Sequence, residues 1–304
     1  MLVVLESTTY PGTTEDVVKP ILEAVAGPDF DLAFSPERID PGNKVYTLKN
    51  TPKVVGGLTP ESTARAAKFY GQFIDTVVMA RGAREAEMAK LLENTYRHVN
   101  IALVNEMARF CHELDIDLWD VVRIAKSKPF GFEAFYPGPG IGGHCIPIDP
   151  HYLNHNVRTR LGYPFRFVEL AEEVNVAMPG YIAQRAHELL KAEGVPMDGA
   201  RVLLLGVTYK PDVADQRGSP SIAVAQSFLD LGAELSFHDP SVEAWNVGQR
   251  TFERVVDLGS AVAEADLVVL IQNHSVYDVD ELASRAKRFF DTRGVTTVDR
   301  AHRL

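Results

Sequence analysis

Apolar residues along this chain follow two spacings. Short, nearly unbroken runs, LVVLE at 2–6, DLAFS at 31–35, KVVG at 53–56 and DTVVM at 75–79, read as buried strands. Between them the spacing becomes helical. Val17, Val18, Ile21, Leu22 and Val25 share one side of a helix over 15–26. A second helix, about 60–73, opens with Thr59-Pro60-Glu61, which puts proline at the first helical position. No glycine or proline interrupts the stretch between Gly82 and Leu114, which is rich in Ala, Glu, Leu and Met. That predicts a single long helix of the kind that bridges domains or subunits. Helical patterns return at 117–126, 150–158 and 165–192.

From Arg201 the pattern alternates. RVLLLG is a strand and VTYKPDVADQRGSPS a loop; then come a helix (221–231), a strand (234–238), a helix (258–264), a strand (266–271) and a helix (279–289). VTTVD at 295–299 is the expected last strand. Strands alternating with helices predict a parallel, doubly wound sheet. The fold class is α/β, with a partial sheet over 1–81, a helical connector over 82–192 and a second α/β domain over 193–304.

Bulk properties narrow the function. A chain of 304 residues holds about two domains. A net charge of −10 without a basic run argues against nucleic acid as a partner, but leaves room for a small anionic ligand. No apolar stretch is long enough for a membrane span, and no leader pattern opens the chain, so cytoplasm is the default expectation. Two cysteines, Cys111 and Cys145, make neither a disulfide framework nor a metal cage, and no metal is expected.

Candidate chemistry concentrates at FYPGPGIGGHCIPIDP. Gly138, Gly140 and Gly143 satisfy G-x-G-x-x-G in form. A dinucleotide loop, however, follows a strand and opens a helix. Here Phe-Tyr-Pro precedes and two prolines follow, so Cys145 is the better lead. Glycines on its flank let a substrate approach, and a nearby histidine or helix N-terminus would favour the thiolate. Cys111, among Ala108, Phe110 and Leu114, reads as a core thiol. Lys90 and Asn94 lie one turn apart on the long helix and could stabilise an oxyanion together. Glu37, after a strand and a proline, suits a general base. Lys210 and Arg217 follow the first strand of the C-terminal sheet, where open α/β sheets bind ligands. Asp239 ends the next strand, where a ribose-binding acid often sits.

Five segments in one order carry a resemblance: ESTTYPGTT (6–14), FSPERIDPG (34–42), AKLLENTYRHVNIALVNE (89–106), PFGFEAFYPGPGIGGHCIPIDPHYL (129–153) and GVTYKPDVADQRGSPS (206–221). Together they resemble the UDP-glucose/GDP-mannose dehydrogenase superfamily, most closely its UDP-N-acetylglucosamine 6-dehydrogenase branch. The resemblance implies an enzyme of polysaccharide-precursor synthesis that oxidises the C6 alcohol of a UDP-sugar to a carboxylate with two NAD+. It implies Cys145 as nucleophile, passing through a thiohemiacetal and a thioester, and Glu37 as the residue that sets the hydrolytic water. Lys90 and Asn94 would stabilise oxyanions, Asp149 would support proton transfer, and Thr8 would hold a water at the nicotinamide end. Ser7, Thr8 and Arg217 would contact the cofactor. Lys210, Gly142, Gly143, Phe135 and Tyr136 would contact the substrate. Ile148 in CIPID and His144 before the cysteine favour an N-acetylated hexosamine over glucose.

The resemblance further implies a Rossmann-type NAD-binding sheet over 1–81, a central domain over 82–192 that dimerises through the 82–114 helix, and a Rossmann-like UDP-binding domain over 193–304. The family's first βαβ unit, with its G-x-G-x-x-G, has no counterpart here, so the chain is expected to be a fragment, a mis-started reading frame or a naturally shortened paralogue. An alternative is a non-catalytic module that binds a sugar nucleotide and dimerises. A thiol hydrolase built on His144 and Cys145 is disfavoured, because adjacent side chains in extended backbone point apart.

Overall fold

A computed structural model describes residues 1–40 and 42–304; Pro41, inside FSPERIDPG, lies outside the described residues. The chain forms two compact units, Met1–Arg97 with Ile148–Glu169, and His98–Pro147 with Leu170–Leu304.

The first unit is built on β1 (Leu2–Leu5), α1 (Lys19–Ala26), β2 (Asp31–Phe34), β3 (Lys53–Gly57), α2 (Pro60–Tyr70) and β4 (Val77–Met79). The strands lie in the order β1-β2-β3-β4. β1 and β2 run parallel with Leu2 opposite Asp31, β2 and β3 antiparallel, and β3 and β4 parallel. Ala33, Val55, Ala66, Tyr70 and Ile74 close one face; Phe34, Ala83 and Ala86 close another. Thr59 caps α2 by accepting a hydrogen bond from the Ser62 N–H at 3.1 Å, with Pro60 at the first helical position as expected. The helix expected over 15–26 opens as a π-type turn (Thr14–Val18) before α1, and Val17, Ile21 and Val25 on its apolar side are exposed.

The uninterrupted stretch after Gly82 forms one 31-residue helix, α3 (Ala83–Glu113), which begins in the first unit and ends in the second. Asp115 stops it in the left-handed region (φ 56°), where the Ile116 N–H reaches back to the Cys111 carbonyl at 2.8 Å. α4 (Leu118–Ala125) belongs to the second unit, α5 (Asp149–Leu161) to the first, and α6 (Arg166–Ala192) contributes to both.

The second unit continues with β5 (Arg201–Leu205), α7 (Ser221–Asp230), β6 (Glu234–His238), β7 (Ala244–Val247), β8 (Arg250–Glu253), α8 (Leu258–Glu264), β9 (Leu267–Leu270), α9 (Val279–Arg285), β10 (Phe289–Asp291) and β11 (Ala301–Arg303). Five strands form a wholly parallel sheet in the order β11-β10-β9-β5-β6. Its two faces are filled by separate apolar clusters, one around Val202, Leu204, Phe237 and Val269, the other around Leu203, Leu205, Val268 and Leu270.

Two expectations fail here. The helix expected to reach 289 ends at Arg285, because Ala286 turns extended and the buried pair Phe289 and Phe290 then serves opposite faces of the sheet. The strand expected at 295–299 is a loop. Its Val295 and Thr296 N–H groups go to the Asp291 carboxylate, and the Thr297 N–H goes to Asp280, so none is available for a strand ladder. The β7–β8 hairpin, turning through Gly248 at φ 59°, was not anticipated.

Candidate active site

In the first unit, the loop after β1 carries Ser7 and Thr8. Gly12 holds the loop's turn at φ 99°, which a side chain would strain. The fully buried carboxylate of Glu87 accepts hydrogen bonds from the Gly12 N–H (2.6 Å), the Thr14 N–H (2.9 Å) and the Thr14 hydroxyl (2.7 Å). Glu87, Lys90 and Asn94 follow one face of α3, so the residue that anchors the loop shares a stripe with the candidate oxyanion pair.

Asp149, first residue of α5, is buried and accepts a hydrogen bond from Asn94 Nδ2 at 2.5 Å. Burial pushes its carboxyl above the ordinary range; Asn94, the Lys90 ammonium and the Thr8 hydroxyl pull the other way without cancelling that push. Thr8, Lys90, Asn94 and Asp149 therefore meet in one cluster. It combines a carboxyl with raised proton affinity, a cation and an amide donor, which suits proton transfer beside a developing oxyanion.

Glu37 belongs to the same unit. It is exposed, accepts the Ile39 N–H at 2.5 Å, and lies 4.0 Å from the ammonium of Lys53. Lys53 itself is buried, 3.0 Å from Glu6 and over the ring of Tyr70. Glu6 accepts the Tyr70 hydroxyl at 2.6 Å; although burial pushes its carboxyl up, Tyr70 and Lys53 hold it below the ordinary range. Lys53 carried no sequence signal, since it reads as the polar start of a strand.

For the dinucleotide that the resemblance implies, these residues fit the reactive end only. Ser7 and Thr8 offer hydroxyls there. The Gly12 and Thr14 N–H groups, which would suit a pyrophosphate at a helix N-terminus, are taken by Glu87. Residues 1–81 contain no G-x-G-x-x-G run.

In the second unit Cys145 is exposed, whereas Cys111 is buried and its thiol is pushed up by that burial. The glycine loop before Cys145 is held at both ends. The Gly138 N–H donates to Asn105 Oδ1 at 2.9 Å, and Asn105 donates to Asn175, also at 2.9 Å. The Gly143 N–H donates to the Gly218 carbonyl at 3.1 Å. A Cβ on Gly142 would stand 2.9 Å from Tyr209 Cβ, so the missing side chain lets this loop lie against the loop that follows β5. Phe135 is half-buried, and Tyr136 stacks on Trp119 at 6.0 Å.

Lys210 and Arg217 occupy the loop after β5, as the doubly wound pattern leads one to expect. Arg217 is exposed and paired with Asp215 at 2.9 Å, which lowers the Asp215 carboxyl to about 2. Asp239 is not placed for a ribose. It is fully buried, and its oxygens accept the N–H groups of Val207, Thr208 and Ser241 and the ring of His274. Arg293 was missed. Its Nε donates to the Ile271 carbonyl at 2.7 Å, its Nη1 would meet a Cβ on Gly138 at 3.0 Å, and burial lowers its guanidinium to about 10. The signal existed, DTRG at the carboxyl end of a strand, but was hidden by placing that strand at 295–299.

Among the described residues no group of His, Cys, Asp and Glu could hold a metal ion, and no helix is long and apolar enough to cross a membrane. Comparison with known proteins matches three parts of the chain to descriptions of one family. Residues 1–74 match the UDP-glucose/GDP-mannose dehydrogenase family's NAD-binding domain, 84–177 its central domain and 203–298 its UDP-binding domain. A UDP-N-acetyl-D-mannosamine dehydrogenase of Methanococcus maripaludis is 32% identical over 302 residues, 97% of this chain and 66% of the relative. A UDP-N-acetyl-D-glucosamine 6-dehydrogenase of Pseudomonas aeruginosa is 35% identical over 80% of this chain and 58% of its own length. The solved structure of a UDP-D-ManNAc dehydrogenase from Pyrococcus horikoshii superposes with a TM-score of 0.84 at 30% identity, covering 96% of this chain and 69% of that one. The chain thus spans just under two thirds of the length of the first curated relative.

Proposed function

As the chain belongs to the UDP-glucose/GDP-mannose dehydrogenase family, we propose that it carries the thiol, proton-transfer and UDP-sugar-binding parts of an NAD-dependent 6-dehydrogenase acting on a UDP-N-acetylhexosamine. The observation that carries this reading is the cluster of half-buried Thr8 and Lys90 with buried Asn94 and Asp149, whose donors and raised-pKa carboxyl suit alcohol and aldehyde oxidation.

NAD+, when bound, supplies the hydride acceptor for each of the two oxidations. Ser7 and Thr8 serve its reactive end, and Arg217 is a further cofactor-binding residue. Asp149 holds the proton that leaves the C6 hydroxyl. The Cys145 sulfur adds to the resulting aldehyde to form a thiohemiacetal, and oxidation of that adduct leaves a thioester. Lys90 and Asn94 stabilise the oxyanions of these tetrahedral states. Glu37 orients the water that cleaves the thioester, releasing the carboxylate and returning the thiol. Lys210, Gly142, Gly143, Phe135 and Tyr136 contact the UDP-sugar.

His144 and Ile148 favour an N-acetylated sugar, with the gluco epimer as the first reading. The manno epimer is the second, because several relatives are named for UDP-N-acetyl-D-mannosamine. A stripe of exposed apolar side chains on α3, Met88, Leu92, Tyr96, Leu103 and Phe110, supports a homodimer through that helix, which sedimentation of the chain tests directly.

Incubating the chain with NAD+ and each UDP-N-acetylhexosamine, and measuring NADH per sugar consumed, tests the reading. A ratio near 2, with one sugar strongly preferred, is the expected result. Tight UDP-sugar binding without NADH would replace it with a binding module.

A further inference from the structure

A buried histidine stands behind Lys210 with no role in the scheme above. His274 is fully buried just beyond the carboxyl end of β9. Its Nε2 lies 2.9 Å from Asp239 Oδ2 and 3.2 Å from Thr208 Oγ1, and its Nδ1 accepts the Asp212 N–H at 3.0 Å. An ionised carboxylate only accepts, and Nδ1 is itself accepting. The ring therefore carries its proton on Nε2. Burial pushes the Asp239 carboxyl up, yet His274 and the Ser241 and Val207 N–H groups outweigh it and keep the acid in its accepting form.

Apart from the Ser241 N–H on Asp239 Oδ1, the polar contacts of this group hold the same loop. Asp239 Oδ2 takes the Val207 and Thr208 N–H groups at 2.8 and 3.3 Å. The Thr208 hydroxyl donates to the Lys210 carbonyl at 3.0 Å. Asp212 stands at φ 59°, a conformation that favours glycine, and its carboxylate accepts the Ser275 N–H at 2.9 Å and the Ser275 hydroxyl at 3.1 Å. Lys210 thus lies between two residues, Thr208 and Asp212, that both end on one imidazole. A loop with a strained non-glycine residue keeps its shape only when its surroundings determine it.

We propose that His274, backed by Asp239, is a positioning residue for UDP-sugar binding: its Nε2–H tautomer clamps Thr208 and Asp212 and thereby aims Lys210 at the nucleotide. This rests on the reading that Lys210 contacts the UDP-sugar. His274→Gln, with its amide nitrogen in the place of Nε2, keeps a donor toward Asp239 but leaves no acceptor at the Nδ1 position that the Asp212 N–H uses, so the clamp opens on the loop side.

Isothermal titration of UDP into the 304-residue chain tests it through a double-mutant cycle. Lys210→Ala should weaken UDP binding by about 10-fold or more, the loss of a charge-assisted hydrogen bond. His274→Gln should weaken it by roughly 10-fold alone, and by less than about twofold when Lys210 is already alanine. Equal weakening in both backgrounds, or none in the first, overturns the clamp while leaving the Lys210 assignment standing. Unchanged affinity in Lys210→Ala overturns both. Nitrogen-15 spectra of the wild-type imidazole read the clamp without any substitution. A protonated Nε2 and bare Nδ1 at neutral pH are expected, and a protonated Nδ1 would overturn the clamp even if His274→Gln fails to fold.

Discussion

The tetrapeptide LVVL occurs as a strand twice, at Leu2–Leu5 and at Leu267–Leu270, with different outcomes. In β9 all four residues are buried; in β1 all four are only half-buried. β9 lies between β5 and β10 with apolar clusters on both faces, whereas β1 pairs, among the described residues, with β2 alone. Four identical side chains thus take their burial from their neighbours, and local sequence carries no information about how many neighbours a strand will have. Candidate chemistry is distributed in the opposite sense. The first unit, with the more open sheet, buries Asp149 and Asn94, while the second, with the closed sheet, leaves Cys145 exposed.

The largest test of the contrast is matched truncation. Leu270→Ala should cost about 2–5 kcal/mol in denaturant unfolding, and Leu5→Ala about 1 kcal/mol or less, since a half-buried site loses less contact and leaves no closed cavity. Similar costs would mean that β1 is as enclosed as β9. Next comes Lys90→Ala, which should lower kcat by about 10²–10³-fold with a smaller change in KM, as for loss of one oxyanion donor. A rise in KM alone would reduce Lys90 to ground-state binding.

The smallest effect concerns pH. A carboxyl whose folded pKa stands above its unfolded value costs stability when ionised; the cost is absent below the ordinary carboxylate range and grows as pH rises through the folded value. Asp149 is such a group. Asp149→Asn should therefore raise Tm over the wild type at about pH 7 and lose that advantage near pH 3, below the ordinary Asp value. A Tm advantage that is larger in acid would mean that the folded state favours the ionised carboxylate.

Much of the fold was legible where one spacing ran long enough. The interruption-free helix after Gly82 and the apolar runs at β5 and β9 were read correctly, because length and period decide them. Phe289 was absorbed into a helix and the rest of β10 left unread, because a buried triplet has no period of its own. VTTVD reads as β-forming, but carboxylates of Asp291 and Asp280 claim its N–H groups, a competition between residues that no local pattern shows. Of the candidate site, the pairing of Lys90 with Asn94 is a spacing on one helix and was visible. Glu87 shares that spacing and could have been found by it. The junction of Asp149 with Asn94, and of Gly143 with Gly218, joins segments far apart in sequence. Arg293 became meaningful only once β10 was in place.

The account depends most on the thiol. The decisive measurement is mass spectrometry of the Cys145 peptide after quenching the chain at work on a UDP-N-acetylhexosamine with NAD+, alongside uronate formation by Cys145→Ser. A sugar-nucleotide thioester on Cys145, with no acid from the serine variant, is the predicted result. Uronate formed by Cys145→Ser at the wild-type rate would contradict it.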